Sequence, residues 1–329
     1  MRAPGFWWQP APSALARLLS PLGAIYGAIT AHRMAQQGER ASLPVICIGN
    51  FVAGGAGKTP SAIAVARALS AMGRKPVFLS RGYGAHANAP QIVDAMRDSA
   101  AQVGDEPLLL AQVAPTVVAR ERVAGAQLCA TTGADMIVMD DGLQNPSLTK
   151  DLRLAVVDGA VGVGNGLSLP AGPLRASLAQ QWPHVDGVII IGEGAPGDEI
   201  ASEALRHGKA VLRGALVPDR NMALGLADRD VIAFAGIGRP EKFFDTLRAL
   251  GAQIVEQESF PDHHRFTPRE IAGLQSRARR RGAALVTTQK DAVRLGAATA
   301  EQLLVLPVEL KLEDETGLAH LLAQLRASQ

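Results

Sequence analysis

The sequence predicts an α/β protein with two lobes, and three observations support this. Its 329 residues are about twice the usual length of one domain. After residue 38, short apolar runs alternate with helix-like stretches, which is typical of parallel strands covered by helices on both faces. A glycine-rich loop follows the first of these runs, in the strand, loop, helix order of phosphate-binding folds.

The apolar runs fall into two sets. The first set predicts the sheet of a larger lobe, with strands at 43–48, 76–80, 136–139, 154–157 and 188–191. The second set predicts a smaller lobe, with strands at 231–234, 253–255 and 284–288 and helices at 241–250 and 268–281. Two further runs, 211–217 and 303–310, are expected to pair as a two-stranded hinge between the lobes.

Charge and cysteine content exclude several classes of protein. The 33 Lys and Arg residues against 31 Asp and Glu residues give a net charge of +2, too little for a broad polyanion-binding surface. We therefore expect no nucleic-acid partner. The two cysteines, Cys47 and Cys129, support neither a disulfide framework nor a cysteine-based zinc site, so a reducing compartment such as the cytoplasm is expected.

The N-terminal segment 1–38 has an unusual composition. It contains three arginines, no acidic residue and the aromatic cluster Phe6–Trp8. Apolar residues recur at helical spacing, at Leu15, Leu18, Leu19, Leu22, Ile25, Tyr26 and Ile29. Arg17 and Pro21 interrupt the run, so we expect an amphipathic helix that lies on a membrane surface and does not cross it. The alternative is that this apolar face packs against the rest of the protein.

The glycine-rich loop predicts a nucleotide site. Gly54, Gly55, Ala56 and Gly57 precede Lys58 and Thr59 at the start of a helix, although Val52 replaces the first glycine of the usual pattern. Such a loop wraps a triphosphate with backbone amides, the lysine neutralises phosphate oxygens, and the threonine hydroxyl binds Mg²⁺.

A second element is expected to hold the metal. The apolar run at 136–139 delivers Asp140 and Asp141 at its carboxyl end. In a parallel sheet this end lies on the same side as the phosphate loop, so one carboxylate reaches Mg²⁺ directly or through water.

Phosphoryl transfer also needs a group that receives the proton of the acceptor, and two polar clusters compete for that role. Gly104–Pro107 presents two adjacent carboxylates, and Phe260–Phe266 contains an aspartate, two histidines and an arginine. Spacing alone does not join them. A third stretch, Thr287–Asp291, loosely resembles the guanine-reading motif of GTPases, so the residues leave adenine and guanine open.

Two alternative functions therefore stay open at the level of the residues. One is a soluble P-loop ATPase or ligase that acts on a small molecule. The other is a GTP-dependent switch protein that reads guanine with Thr288–Asp291.

Several blocks together resemble the tetraacyldisaccharide 4′-kinase (LpxK) family. The matching blocks are Gly49–Pro60, Ser80–Gly84, Gly104–Pro107, Asp140–Gln144, Leu169–Arg175, Phe260–His264 and Thr287–Val293. The resemblance implies a P-loop kinase-like α/β/α sandwich, with the second lobe joined by a two-stranded linker. It also implies that ATP and Mg²⁺ are used to phosphorylate the 4′-hydroxyl of an acylated glucosamine disaccharide 1-phosphate, giving lipid IVA. The implied location is the cytoplasmic face of the inner membrane, as a peripheral enzyme without an obligate protein partner.

The resemblance also assigns roles to single residues. Asp105 matches the proposed base, and His263 matches the partner that raises its basicity. Asp140, Asp141 and Gln144 match the acidic strand end and its metal-side glutamine. The candidates for contact with the sugar or its 1-phosphate are Arg81, Tyr83, Arg120 and Arg122. The chain departs from the family pattern at Leu143, where Phe is usual, and at Asn145, where His is expected.

The segments are assigned accordingly. We expect a membrane-interface helix region at 1–38, the P-loop nucleotide-binding domain at 39–209, a linker strand region at 210–225, the second lobe at 226–300, and a return linker strand with a C-terminal helix at 301–329.

Overall fold

The computed structural model describes residues 3–55, 57–84 and 89–325. The strands are β1 (Val45–Gly49), β2 (Pro76–Ser80), β3 (Gln91–Ile92), β4 (Thr116–Val118), β5 (Met136–Asp140), β6 (Leu152–Asp158), β7 (Gly187–Ile191), β8 (Ala210–Pro218), β9 (Asp230–Ala235), β10 (Gln253–Ser259), β11 (Ala284–Thr288), β12 (Leu304–Leu306) and β13 (Val308–Leu312).

The helices connect these strands. They are α1 (Ala14–Met34), α2 (Lys58–Ala71), α3 (Ala100–Val103), α4 (Asp105–Ala111), α5 (Arg122–Ala130), α6 (Leu178–Gln181), α7 (Ala195–Arg206), α8 (Arg220–Leu224), α9 (Pro240–Ala249), α10 (Pro268–Arg281), α11 (Gln289–Leu295), α12 (Ala297–Ala300) and α13 (Glu315–Ala323). Short 3₁₀ turns are present at Gly5–Trp8 and Trp182–His184.

The large lobe is built on a mainly parallel sheet. Among the described residues, nine strands form it in the order β13-β8-β7-β6-β1-β5-β2-β4-β3. Its central strands, such as β1 and β5, are buried along their whole length because they are apolar on both faces. β1 lies between β5 and β6, with Ile48 opposite Asp140, so the loop after β1 starts beside the end of β5. The expected P-loop sandwich is confirmed.

The small lobe is a parallel sheet of its own. Within the described ranges, its four strands run in the order β10-β9-β11-β12. Phe244 and Leu247 of α9 pack on one face, and Ile271 and Leu274 of α10 pack on the other. α10 begins sharply because Thr267 accepts a hydrogen bond from the Glu270 amide while the Glu270 carboxylate accepts one from Thr267. This cap fixes the end of the loop between β10 and α10, which carries the histidines.

The expected two-stranded linker is present as an antiparallel pair. Residues 210–214 of β8 pair with β7, whereas 214–218 pair with 308–312 of β13. The structure differs from the predicted run 303–310 in one respect, because Pro307 divides it. The part before Pro307 is β12, which joins the small sheet beside β11.

Helix α1 is held on the large lobe by its small residues. Ala16, Gly23 and Gly27 face inward, and a Cβ on Gly23 would lie 2.6 Å from the carbonyl oxygen of Ser168. By length and composition α1 could cross a membrane, and only 17% of its most apolar window is buried in the protein. The Phe6–Trp8 cluster is partly docked, because the Trp7 indole donates to the Pro170 carbonyl at 3.0 Å and Trp8 packs against the core.

Candidate active site

The glycine-rich loop has the backbone conformation that phosphate binding requires. Gly54 and Gly57 have φ angles of 113° and 89°, which favour glycine. A Cβ on Gly57 would also lie 2.5 Å from Ile191 Cδ1. Asn50 Nδ2 and Lys58 Nζ both donate to the Gly54 carbonyl, at 2.9 and 3.2 Å, so both side chains bend over the loop. Ala56 lies outside the described residues.

The structure brings the predicted loop residues and the acidic pair together. Thr59 Oγ1 donates to Asp140 Oδ2 at 3.2 Å. Lys58 Nζ lies 3.9 Å from Asp141 Oδ2, and Arg175 Nη2 lies 3.5 Å from the same oxygen. Asp141 itself has a φ angle of 56°, an unusual backbone conformation for a residue other than glycine and one that often marks functional sites.

Unpaired oxygens at this site fit a divalent cation. Among the described residues, Asn50 Oδ1, Asp140 Oδ1 and Asp141 Oδ1 are buried without a hydrogen-bond partner. Leaving such groups unpaired is costly, and Mg²⁺ prefers oxygen ligands. The described ranges contain no group of three or more His, Cys, Asp or Glu side chains that could hold a metal. The two carboxylates and the Asn50 amide oxygen suit Mg²⁺, which is commonly held by one or two carboxylates together with water and substrate phosphates.

The two aspartates titrate differently. Burial raises the pKa of Asp140 to about 7, the charges of Glu106 and Asp141 add to that rise, and Lys58 opposes it. Burial alone would also raise the pKa of Asp141, but Lys58 and Arg175 outweigh it, so this pKa is lowered. A cation bound between them would favour the ionised form of both.

Gln144 lies against the start of the loop. Its Nε2 donates to the Asn50 carbonyl at 2.8 Å and to Gln181 Oε1 at 3.0 Å. Gln181 is completely buried and donates to the carbonyls of Phe51 and Ala176. These amides hold the loop in place, and a metal contact by Gln144 stays a prediction.

The structure brings the two polar clusters, Gly104–Pro107 and Phe260–Phe266, into contact. Asp105 is the first residue of α4 in the large lobe and is 4% exposed. Its Oδ2 lies 3.0 Å from Nδ1 of His263, which belongs to the loop before α10 in the small lobe. His263 has a φ angle of 58°, and its amide donates to the Gly236 carbonyl at 3.1 Å. The pair therefore joins the lobes.

Helix α11 supplies two cations to the same place. Arg294 donates to Asp105 Oδ2 from Nε at 2.9 Å and from Nη2 at 2.6 Å. Lys290 Nζ donates to Glu106 Oε1 at 2.8 Å. Burial alone would raise the pKa of Asp105, but the hydrogen bond from His263 and the charges of Lys290 and Arg294 hold that pKa well below its usual range. The implied rise in the basicity of Asp105 through His263 is therefore not found, because this hydrogen bond stabilises the ionised carboxylate.

These contacts overturn the guanine-reading interpretation of Thr288–Asp291. Asp291 is fully buried, and its carboxylate accepts hydrogen bonds from the Gly236 amide, Thr288 and Arg294. Lys290 is engaged with Glu106. The stretch forms a structural contact between the lobes and leaves no aspartate oxygen free for a base.

A cleft of about 700 Å³ lies between the lobes beside this pair, and Asp105, His263 and Arg294 line it. Tyr83, which is 66% exposed, also lines it and packs its ring against His263 at 5.4 Å. Arg265 from the small lobe donates to the Gly84 carbonyl at 3.4 Å. The loop after β2 and the histidine loop therefore meet at the edge of the cleft.

The predicted arginines differ in their surroundings. Arg81 and Arg120 are exposed. Arg122 is only 2% exposed, donates to the Ala119 carbonyl at 2.9 Å, and has its pKa lowered by burial. Its charge acts on Asp140 and Asp141 from inside the lobe, which favours an electrostatic role over contact at the surface.

A second ionic contact between the lobes lies at the end of β6. Asp158 is 7% exposed and accepts a hydrogen bond from Arg239 Nη1 at 2.5 Å, and Lys242 also binds it.

Four of these site residues were not identified from the sequence, namely Asp158, Arg175, Lys290 and Arg294. Arg175 and Lys290 carried a signal, because they lie in the Leu169–Arg175 and Thr287–Val293 blocks, whereas Asp158 and Arg294 lie outside every block.

Comparison with known proteins decides the family. The family profile described as tetraacyldisaccharide-1-P 4′-kinase (LpxK) matches residues 15–326. The chain belongs to this family. A tetraacyldisaccharide 4′-kinase of Methylorubrum extorquens is 58% identical over 323 residues, covering 98% of each chain. That of Rhodopseudomonas palustris is 51% identical over 327 residues, covering 98% of this chain and 96% of the relative.

A solved structure of the family has the same fold. It is the "apo" form of LpxK from Aquifex aeolicus in complex with ATP, which is 26% identical with a TM-score of 0.73. The match covers 94% of this chain and 99% of that one. As a member of the tetraacyldisaccharide 4′-kinase family, the chain is a phosphotransferase with a hydroxyl acceptor.

Proposed function

We propose that this chain transfers the γ-phosphoryl group of ATP to the 4′-hydroxyl of an acylated glucosamine disaccharide 1-phosphate. The observation that carries the proposal is the position of Asp105 and His263 on a cleft between the lobes, in a chain whose loop and acidic pair form a nucleotide site. The identity of the acceptor comes from the family description and from the names of the relatives.

On the nucleotide side, residues 54–59 bind the phosphates of ATP. The Lys58 ammonium neutralises phosphate oxygens. Thr59, Asp140 and Gln144 are the side chains that would hold Mg²⁺, and the unpaired oxygens of Asn50 and Asp141 lie at the same site. Mg²⁺, when bound, offsets charge on the phosphate oxygens. The Asn50 to Gly54 hydrogen bond and the Gln144 amide keep the loop in shape.

On the acceptor side, the Asp105–His263 pair receives the proton of the 4′-hydroxyl. As that proton leaves, the bond between O4′ and the γ-phosphorus forms, the bond from that phosphorus to the bridging oxygen breaks, and ADP is the leaving group. Arg81, Tyr83 and Arg120 lie on exposed loops of the large lobe, where they can contact the sugar or its 1-phosphate. Arg suits a phosphate because it donates in a two-pronged fashion.

We further propose that α1 rests on the cytoplasmic face of the inner membrane. Its outward face presents large apolar side chains that are 41% to 77% exposed, at Leu15, Leu18, Leu22, Ile25, Tyr26 and Ile29. The opposite face is docked on Ser168 through Gly23 and Gly27, and Met34 at its end lies in the large-lobe core. A helix docked along its length on the lobe is suited to lie in the interface plane.

The direct test is phosphoryl transfer from radiolabelled ATP in detergent micelles that contain the acylated disaccharide 1-phosphate. We expect label on the lipid with the intact acceptor and none with a 4′-deoxy acceptor. Label that appears only as free phosphate, with either acceptor, would favour a soluble ATPase.

A further inference from the structure

Arg294 is a buried arginine that nothing in the nucleotide site requires. Its side chain is 5% exposed, and all three guanidinium nitrogens are engaged. Nε and Nη2 donate to Asp105 Oδ2, and Nη1 donates to Asp291 Oδ1 and to the Gly236 carbonyl, each at 2.8 Å. A buried cation of this kind is costly to desolvate unless it is paired and hydrogen-bonded, and here Asp105 and Asp291 pair it.

The other side of the contact shows what Arg294 fixes. Asp105 Oδ2 receives both Arg294 bonds as well as the contact with His263 Nδ1. Within the described part of the chain, Oδ1 receives only the Glu106 amide, at 3.0 Å. Both bonds from the planar guanidinium converge on one oxygen, so they fix the position of Oδ2, and the Glu106 amide on Oδ1 then sets the rotation of the carboxylate. Oδ1 is thereby left with spare acceptor capacity.

Arg294 is itself held in place by Asp291 and by the Gly236 carbonyl. Asp291 is held by the Gly236 amide and by Thr288, and the Gly236 carbonyl accepts both from Arg294 and from the His263 amide. The same small-lobe residues therefore hold both partners of Asp105, which are Arg294 and His263.

We propose that Arg294 is a positioning residue for phosphoryl transfer, which orients the Asp105 carboxylate against His263 without touching the substrate. This inference rests on the proposed function. The groups that face Asp105 are His263 from the loop before α10, Lys290 and Arg294 from α11, and Glu106 from its own helix.

The test uses Arg294→Ala in the full-length chain with the micelle assay. We expect kcat to fall about 10²-fold, while ATP binding changes less than about threefold because the nucleotide residues lie in the large lobe. Because Arg294 lines the cleft, added guanidinium can enter the space that the truncation leaves. We expect it to restore kcat by about tenfold, an effect that a merely structural role would not produce.

Arg239→Ala is the matched control. Arg239 also extends from the small lobe to a buried aspartate of the large lobe, Asp158, and so shares the linking role but not the contact with Asp105. We expect no rescue of this variant by guanidinium. Arg294→Lys keeps the charge but loses the two-pronged contact, and its kcat is expected to lie between the wild-type and alanine values.

The outcomes separate the two proposals. If the wild type labels the lipid but guanidinium fails to rescue Arg294→Ala, or rescues Arg239→Ala equally, the positioning role is overturned. If Arg294→Ala does not fold, as shown by its melting curve, Arg294→Lys at wild-type kcat overturns the role on its own. If the wild type labels no lipid, the proposed function fails instead.

Discussion

The nucleotide site and the acceptor-side cluster of Asp105, His263 and Arg294 are assembled in different ways. Asp140 ends β5, and Lys58 and Thr59 begin α2 after the loop that follows the neighbouring strand β1, so the fold of the large lobe alone brings them together. Asp105 meets His263 and Arg294 across 158 and 189 residues of chain, and both partners come from the other lobe.

Because of this difference, we expect ATP binding and phosphoryl transfer to depend on separate contacts. A movement of the lobes about the β8–β13 pair would leave the nucleotide residues in place but would separate Asp105 from its partners. On the proposed mechanism, closure of the lobes would couple formation of the proton acceptor to exclusion of water from the cleft. Substitutions on the two sides should therefore have different signatures.

The largest effect is expected on the nucleotide side. Lys58→Met removes the ammonium that neutralises phosphate oxygens, and we expect transfer to fall about 10²–10³-fold with weaker ATP binding. Arg67→Met on the same helix is the control, because Arg67 forms an exposed pair with Glu309 and should change the rate little. Equal losses in the two variants would contradict a specific role for Lys58.

On the acceptor side, rate and binding are expected to separate. Asp105→Ala and His263→Ala should each lower kcat about 10²-fold or more, while ATP binding persists. The control is His264→Ala, since His264 bonds Glu270 and stacks on Phe260 without contacting Asp105. Near-normal lipid phosphorylation by either test variant, measured with radiolabelled ATP, would remove the proposed role.

The membrane contact is expected to give a smaller effect on rate and a clear effect on binding. Leu18→Glu combined with Ile25→Glu places charges on the outward face of α1, and each lost apolar side chain removes about 1.5–3 kcal/mol of burial. Sedimentation with anionic phospholipid vesicles should fall at least tenfold. Leu205→Glu is the control, because Leu205 is 65% exposed on α7. Unchanged sedimentation of the double variant would place the membrane contact elsewhere.

The smallest effect concerns stability. Gly23→Ala should lower the free energy of unfolding by about 1–3 kcal/mol, because its Cβ would lie 2.6 Å from the Ser168 carbonyl. Gly273→Ala in α10 meets nothing within 4 Å and should stabilise by about 0.4–1 kcal/mol. Melting curves measure both, and a stabilised Gly23→Ala would show that α1 is not docked on the lobe.

The same difference between the two regions explains which residues the sequence could predict. The phosphate loop and Asp140 were found because each motif is continuous in the chain and follows an apolar strand. Asp105 and His263 were matched only through the family resemblance, since spacing does not join two loops that distant.

Arg294 was missed for the same physical reason. Its partner depends on how α11 packs against α4, which no local pattern encodes. The boundary at Pro307 and the docking of Trp7 on Pro170 were likewise set by tertiary contacts.

A double-mutant cycle between the lobes tests the central claim most directly. The kcat of phosphoryl transfer is measured for Asp105→Ala, for His263→Ala and for the combined variant, with each protein saturated by ATP. If the two residues form one unit across the cleft, the combined loss equals that of the more severe single variant. A combined loss equal to the product of the two single losses would show that they act independently, and would contradict the account.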